Sequence, residues 1–272
     1  MAHPQIAVFA RLAEGNAKPT RKIEGQKTKM GRTMHAIAYD SVHDEFLVAQ
    51  PFAQALLVFR GAASGEEAPI RVIQGPLTQL SSPDKLEVDP VHDEIFVPER
   101  SRILVFPRAA NGNVAPIRIL KTPDAQFSMD GIAVDPVHNA LIVAGWQGRR
   151  EEEDSRVLIF DRTAQGDAQP KRMIHGPKTR LTGTFGLRAH PSRGLFLLAM
   201  PGSDYSGPHD PSFVGVWSVE DNGDVPPRWM IGGPNGMLKQ PRGMDLDPKN
   251  KTVIISDKVL NAVLTYSFPE IF

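Results

Sequence analysis

Four basic side chains lie at, or just before, the start of short apolar strands and could together bind an anion. They are Arg32, His35, Lys85 and Arg242. If those strand starts meet at one face, the charges would form a positive funnel for an anionic ligand. His35 is also a candidate catalytic base, because an imidazole can exchange a proton near neutral pH. The alternative is that these cations pair with nearby acids, and that His35 is an ordinary polar surface residue.

The histidines His43, His92 and His138 share one position in a recurring turn. Because they recur with the turn and do not cluster, we expect a turn role, namely a hydrogen bond to the backbone, and not metal binding. His190 stands where the other copies of the turn have aspartate, and it is interpreted in the same way.

Composition excludes several function classes. Lysine plus arginine and aspartate plus glutamate both number 31, so no bulk charge favours a nucleic acid or an anionic membrane. With no cysteine there is no disulfide, thiolate metal site or cysteine nucleophile. No apolar run reaches the roughly 20 residues that span a bilayer. The first residues lack the pattern of a signal peptide, so the compartment is unknown: either the chain stays inside the cell or a leader has been removed.

The elements that must position these residues are copies of one hairpin. Residues 86–97 read LEVDPVHDEIFV, in which two short strands flank an Asp-Pro turn. The same pattern recurs at residues 36–48, 132–143, 187–197 and 244–255. An internal repeat of this kind predicts a repeat architecture.

Each hairpin, with strands a and b, is followed by two further strands. Strand c ends in an aromatic residue, and these residues are Phe9, Phe59, Phe106, Phe160, Trp217 and Tyr266. A glycine-containing loop then leads to strand d, and it occupies residues 63–66, 110–113, 164–167 and 221–224. Four short strands in a period of about 40–50 residues are typical of β-propeller blades, so we predict an all-β propeller of four-stranded antiparallel blades.

The chain opens with strands c and d, contains four complete blades, and ends with strands a, b and c. This order predicts five blades, or six if an N-terminal hairpin is missing. We expect a single domain over residues 1–272, with repeats at approximately 1–34, 35–84, 85–129, 130–184, 185–241 and 242–272.

The sequences of several strands resemble those of two known propeller families. Residues 131–135 with 140–144, and 243–247 with 253–257 and 263–266, look like NHL repeats, and the first strand also resembles that of gluconolactonase-like propellers. These families are usually six-bladed. The resemblance covers nearly the whole chain, but it implies the fold more strongly than an activity.

The gluconolactonase-like resemblance implies a divalent cation site. In that family an Asp-Gly at the start of strand a supplies a metal ligand, and Asp130-Gly131 matches it. Glu99 and Asp257, which follow b strands, could complete a Ca²⁺ site, since Ca²⁺ takes six to eight oxygen ligands. The family's asparagine ligand and its glutamate near the N-terminus have no clear counterpart here.

Two b–c loops are longer than a turn requires. Residues 145–155 contain Trp146, and residues 200–211 contain Tyr205 and His209. In propellers the b–c and d–a loops gather at one mouth of the channel, and extended loops on a rigid scaffold often bind ligands. The alternative is that neither loop binds a ligand. The first would then be a run of charged residues in solvent, and the second a loop whose length varies without a function.

Two main functions follow from the sequence. The first is a non-enzymatic scaffold that binds a protein or a small molecule through one face and its long b–c loops. The second is a lactonase-type hydrolase with a divalent cation held by Glu99, Asp130 and Asp257, and with His35 as base. A third is carbohydrate binding, in which Trp146 and Tyr205 would stack on sugars.

Overall fold

The computed structural model describes residues 4–32, 34–147, 154–202 and 212–272. These residues form 21 β-strands, and the helices among them are 3₁₀ turns of three residues. The turns span Gln26–Thr28, Pro76–Thr78, Pro177–Thr179, Pro191–Arg193 and Pro269–Ile271. No helix in this part of the chain is both long and apolar enough to span a bilayer.

Four sheets have four strands, and each strand pairs with the next one in the chain. The first sheet contains β3 Ile37–Asp40, β4 Glu45–Gln50, β5 Ala55–Arg60 and β6 Arg71–Gln74. The second contains β7 Glu87–Asp89, β8 Glu94–Glu99, β9 Arg102–Pro107 and β10 Arg118–Lys121. The third contains β11 Ser128–Asp135, β12 Ala140–Gln147, β13 Asp154–Asp161 and β14 Arg172–Ile174. The fourth contains β15 Leu187–His190, β16 Leu195–Met200, β17 Phe213–Ser218 and β18 Trp229–Gly232.

Two smaller sheets begin and end the chain. The first has two strands, β1 Gln5–Val8 and β2 Arg21–Glu24. The last has three, β19 Pro241–Asp247, β20 Thr252–Asp257 and β21 Ala262–Ser267. Counted by inner hairpins there are five blades, so the predicted fold class, an all-β propeller of antiparallel blades, is confirmed. β11 and β19 begin one or two residues before the repeat limits expected from the sequence.

The chain divides into two compact units. One comprises residues 1–99 and 103–119, and the other comprises residues 100–102 and 120–272. Each unit has its own apolar core between sheets. In the first unit, for example, Leu47, Val58 and Val97 are buried in one cluster. In the second, Ile142, Phe196 and Trp217 are buried in another.

The aromatic residue at the end of strand c is a core residue in the four complete blades. Phe59, Phe106, Phe160 and Trp217 are fully buried, and Trp217 stacks on Phe196 with ring centroids 6.0 Å apart. Phe9, at the same position after β1, is 49% exposed. The repeat therefore carries a large apolar side chain whose burial depends on the sheet against which it packs.

The glycine-containing loops cover the edge strands. After β5, the Gly65 N–H donates to Lys22 O at 2.7 Å, and the Glu24 N–H donates to Gly65 O at 3.1 Å. Gly112, Gly166 and Gly223 bridge the outer strand of the preceding repeat in the same parallel manner. Each of these four glycines has a positive φ, between 62° and 79°, which a glycine adopts without strain. The loops thus occupy main-chain groups that an edge strand would otherwise expose.

Candidate functional site

The predicted cationic residues of the first unit lie beside one acid. His35 Nδ1 is bonded to Asp84 Oδ1, and Lys85 Nζ lies 3.4 Å from Asp84 Oδ2. Both side chains of the His35–Asp84 pair are about half exposed. His35 and Lys85 therefore pair with a nearby acid, as the alternative to an anion site expects. Arg32, three residues before His35, is exposed. In the second unit, the Arg242 guanidinium lies 3.7 Å from the centre of the Phe185 ring.

The carboxylates of the expected metal site hold loops. Glu99 is buried and accepts hydrogen bonds from Ser81 N, Ser81 Oγ and Ser82 N. Asp257 is also buried and accepts from the main-chain N–H groups of Lys239 and Gln240. Two further main-chain donors, at residues 259 and 260, bond its other oxygen.

Asp130, the third residue of that set, occupies a β-bulge between Met129 and Gly131 at the start of β11. Among the described ranges there is no group of three or more histidine or carboxylate side chains that could hold a metal ion. Calcium binding through Glu99, Asp130 and Asp257 therefore stays a prediction, and the hydrogen bonds of Glu99 and Asp257 give those carboxylates a structural role instead.

The long b–c loops fall mostly outside the described residues, and so do Tyr205 and His209. Trp146 is described and half-buried, and it pairs with Ser128 across β11 and β12. Since Asp130 lies two residues after Ser128, the structure places Trp146 and Asp130 at the same end of one hairpin.

The repeated histidines have a turn role, but their partner is a side chain and not the backbone that the sequence suggested. His92 Nδ1 lies 2.8 Å from Asp89 Oδ2, while Asp89 Oδ1 accepts from Val91 N and His92 N. The Asp40–His43 and Asp135–His138 pairs repeat this arrangement. Because the carboxylate only accepts, each histidine carries its proton on Nδ1.

The second unit contains a cavity of about 370 Å³. It lies between the segment after β10 and the outer strands β13 and β14. Its apolar floor is formed by Pro123, Phe127, Leu158, Pro170 and Met173. Its polar rim is formed by Asp124, Arg156, Gln169, Lys171, Arg172 and Asn222. We call this cavity the β14 groove; its volume lies within the range of small-molecule sites.

Local sequence explains how the floor is built. Leu158 and Met173 are direct neighbours across β13 and β14, so they present one apolar surface. Phe127 is buried against Gly145, where an added Cβ would lie 2.8 Å from the Phe127 ring and 2.1 Å from the Ser128 carbonyl oxygen. A glycine at position 145 is therefore needed for Phe127 to lie at the floor of the groove.

Arg172 differs from its counterparts in the two preceding blades. Arg71 forms two hydrogen bonds to Glu45 at 2.8 and 2.5 Å, and Arg118 does the same with Glu94. Those glutamates are the first residues of β4 and β8, whereas the first residue of β12 is Ala140. Arg172 instead bonds Glu220, whose side chain is 63% exposed. The salt links of Arg71 and Arg118 are thus largely buried, whereas that of Arg172 is solvent-facing and borders the groove.

Two other cations on the rim, Lys171 and Arg156, are paired with acids. Lys171 Nζ lies 2.7 Å from Asp161 Oδ2, and hydrogen bonds from Lys171 and Thr163 hold the pKa of Asp161 far below its ordinary value. Arg156 bonds Asp154 and lowers the pKa of that carboxyl, to which His175 also bonds. The lining combines an apolar floor, which suits the body of a ligand, with guanidinium groups, which suit an anionic end.

Sequence reasoning did not single out the groove. Arg172 shares one strand-d position with Arg71 and Arg118. Phe127, Leu158 and Met173 carry no signal of their own. The signal that could have found it is the alanine at the first position of β12, where two earlier copies have glutamate.

The comparisons with known proteins support the fold. The sequence matches no protein-family model and no curated protein. Among solved structures, hydrazine synthase of Kuenenia stuttgartiensis is similar, with a TM-score of 0.62 and 14% sequence identity over 92% of this chain and 68% of that chain. At this identity the similarity shows a β-propeller fold alone. The narrower resemblance to NHL and gluconolactonase-like propellers is therefore not confirmed.

Proposed function

We propose that this propeller is a non-enzymatic binding module and that the β14 groove is a ligand site. The ligand class that fits is a compact molecule or side chain with an apolar body and a carboxylate. The observation that carries the proposal is Arg172, which has lost the buried glutamate of the preceding repeats and stands beside an apolar cavity of about 370 Å³.

The energetics favour such a ligand. Phe127, Leu158 and Met173 offer apolar surface, whose burial contributes about 25 cal/mol per Å². The Arg172–Glu220 pair is solvent-facing, and pairs of that kind contribute roughly 0–1 kcal/mol, so an incoming carboxylate can compete for the guanidinium. In the two sister blades the arginine is held in a largely buried bidentate pair, which would resist such an exchange.

A second arginine of the rim is also held by an exchangeable partner. Arg156 bonds Asp154, the first residue of β13, and both side chains are partly exposed.

The test is a titration of protein labelled with ¹³C on the methionine methyl groups. Benzoate and naphthoate are the probes, and the matching neutral amides are the controls. We expect the carboxylates to shift the Met173 methyl resonance, with the amides binding about tenfold more weakly because one charge-assisted hydrogen bond is lost. Met230, an exposed methionine at the same position of the next repeat, is the internal reference and should not shift.

Substitutions at Arg172 and Met173 test whether the ligand binds in the groove. Arg172→Gln should weaken carboxylate binding about tenfold and leave amide binding unchanged. Measured by calorimetry with the same probes, Met173→Glu should abolish binding, whereas Met230→Glu should not. Carboxylates that shift Met173 and Met230 equally, or no shift at Met173 at all, would reject the groove as a ligand site.

A further inference from the structure

The floor of the β14 groove has a cation at each end. Leu158 and Met173 are direct neighbours across β13 and β14. Arg156 comes two residues before Leu158, and Lys171 comes two residues before Met173. The Lys171 N–H donates to Ile159 O at 2.8 Å, so the pairing of the strands extends to this residue. Because side chains two apart share one face of a sheet and the strands are antiparallel, the two cations lie at opposite ends of the apolar pair.

The separation of the two cations suits a ligand of moderate length. Two residues of strand lie on each side of the apolar pair, which places the Cα atoms of Arg156 and Lys171 about 13 Å apart along the sheet. Arg172 adjoins Lys171 and also lines the groove. A ligand with one carboxylate at Arg172 would therefore occupy the Lys171 end alone and would make no use of Arg156.

Arg156 can turn to a ligand without leaving its acid unpaired. Its guanidinium bonds Asp154 Oδ2, and the two side chains are 27% and 34% exposed. His175 Nε2 bonds the other oxygen of the same carboxylate. This acid therefore keeps a hydrogen bond when Arg156 leaves it, and a pair as exposed as this one contributes little in water.

Lys171 is held in a similar way. Its side chain is 55% exposed, and Nζ lies 2.7 Å from Asp161 Oδ2. The other oxygen, Asp161 Oδ1, accepts from Thr163 N, Thr163 Oγ1 and Asn139 Nδ2 at distances of 2.7–3.0 Å. The acid keeps these three donors when Lys171 turns away, so both end cations are available to a ligand.

The charges of the lining favour a second anion over an amine. Three cations line the groove, and among the described lining residues Asp124 is the one carboxylate. Asp124 Oδ1 accepts from Gln126 N at 2.7 Å, within its own loop. At the Arg156 end, an amine on the ligand would have to compete with two donors for Asp154. A carboxylate there would instead meet a guanidinium, which matches its geometry.

We propose that the ligand of the β14 groove is a dicarboxylate with an elongated apolar body. The body lies over Leu158 and Met173, one carboxylate binds at Lys171 and Arg172, and the other binds Arg156. This inference rests on the proposed function of the groove and assigns the second end of the ligand.

The experiment is the titration of the ¹³C-methionine protein with naphthalene-2,6-dicarboxylate, read at the Met173 methyl resonance. The matched control is 6-carbamoyl-2-naphthoate, which has the same body and one charge. Naphthalene-2,3-dicarboxylate is a second control, because both of its charges lie at one end. We expect the 2,6-diacid to bind about tenfold more tightly than either control, since only this probe places a carboxylate at Arg156.

A substitution at Arg156 assigns the second carboxylate to this residue. In Arg156→Gln the tenfold preference for the 2,6-diacid over its monoamide should fall to about one. This ratio compares two ligands on one variant, so a general weakening of the groove does not imitate the result. Arg228→Gln is the matched control and should keep the preference, because Arg228 bonds Asp221 and does not line the groove.

The outcomes separate this inference from the proposed function. If 2-naphthoate binds at Met173 but the 2,6-diacid binds no more tightly than the monoamide or the 2,3-diacid, the dicarboxylate is overturned and the proposed function stands. A preference that persists in Arg156→Gln would overturn the role of Arg156. If neither 2-naphthoate nor the 2,6-diacid shifts Met173, both proposals fall.

Discussion

At the scale of single residues, side chains that look reactive hold the backbone in place. Asp89 is almost fully buried and accepts three hydrogen bonds, two from main-chain N–H groups and one from His92. In the last blade Asn250 takes the histidine's place, and its Nδ2 lies 2.6 Å from Asp247 Oδ2. The position therefore requires a donor to the aspartate and not an imidazole as such.

This comparison predicts the outcome of two substitutions. His92→Ala leaves Asp89 Oδ2 without its donor and should lower the free energy of unfolding by about 1–3 kcal/mol. His92→Asn should recover most of that loss, because asparagine donates at this position in the last blade. Urea denaturation of both variants checks the prediction, and equal losses in both would show that imidazole packing, not donation, is what matters.

Glu99 allows the metal interpretation to be tested against the structural one. Glutamine offers one acceptor oxygen and places an NH₂ group among three donors, so Glu99→Gln should destabilise the protein by about 2 kcal/mol. The loss should be the same with Ca²⁺ and with a chelator. Glu270→Gln, at an exposed position, is the control and should have no effect. A melting temperature that rises with Ca²⁺ in the parent protein and not in Glu99→Gln would restore the metal site.

Asp257 predicts a pH dependence of stability. Burial raises the pKa of this carboxyl, but main-chain donors at Leu260, Lys239, Gln240 and Val259 outweigh burial and hold its pKa below the ordinary value. A native pKa below the unfolded value of about 4 gives stability that is present above that pH and lost as the pH falls through the native pKa. Asp257→Asn should therefore be destabilised at neutral pH, and its deficit should shrink in acid. A deficit that is constant with pH would contradict this account.

At the scale of elements, the strands could be predicted but the function of the loops could not. Alternation and the Asp-Pro turn are local signals, so each hairpin and each aromatic c strand was identified from nearby residues. The covering loops were seen as a pattern, but their partners lie in the preceding repeat, some 40 residues away, as with Gly65 and Lys22. The donors that Ser81 offers to Glu99 and Lys239 offers to Asp257 likewise belong to another loop, which the residues next to these carboxylates do not indicate.

A substitution at Asn113 tests whether the covering loop protects the edge strand on which it lies. Its side chain accepts from Leu77 N and fills the space above Gly75. Asn113→Ala should lower the free energy of unfolding by about 1 kcal/mol and speed amide exchange at Leu77. Asn16→Ala, at an exposed position in a loop of the same sequence pattern, is the control and should leave amide exchange at Leu77 unchanged. Slower or equal exchange at Leu77 in Asn113→Ala would show that the loop does not protect this edge.

At the scale of the whole molecule, comparison of the repeats distinguishes the residues that folding requires from those that a function requires. Residues that recur with the repeat, such as the aromatic residue that ends strand c, satisfy needs that every blade shares. A departure from the repeat that leaves a charged group without its usual buried partner has no such explanation. The alanine at the first position of β12 is a departure of this kind, because it frees Arg172 from the bidentate pair formed by Arg71 and Arg118.

Restoring the repeat should therefore remove the ligand site while keeping the fold. In Ala140→Glu the new carboxylate should bind Arg172, as Glu45 binds Arg71. Carboxylate binding at the Met173 methyl should then weaken about tenfold, or about 1.4 kcal/mol. Ala140→Gln, of nearly equal size and without charge, should keep the affinity. Equal affinity in the glutamate and glutamine variants would mean that Arg172 takes no part in binding, and that the difference between the repeats at this position serves packing alone.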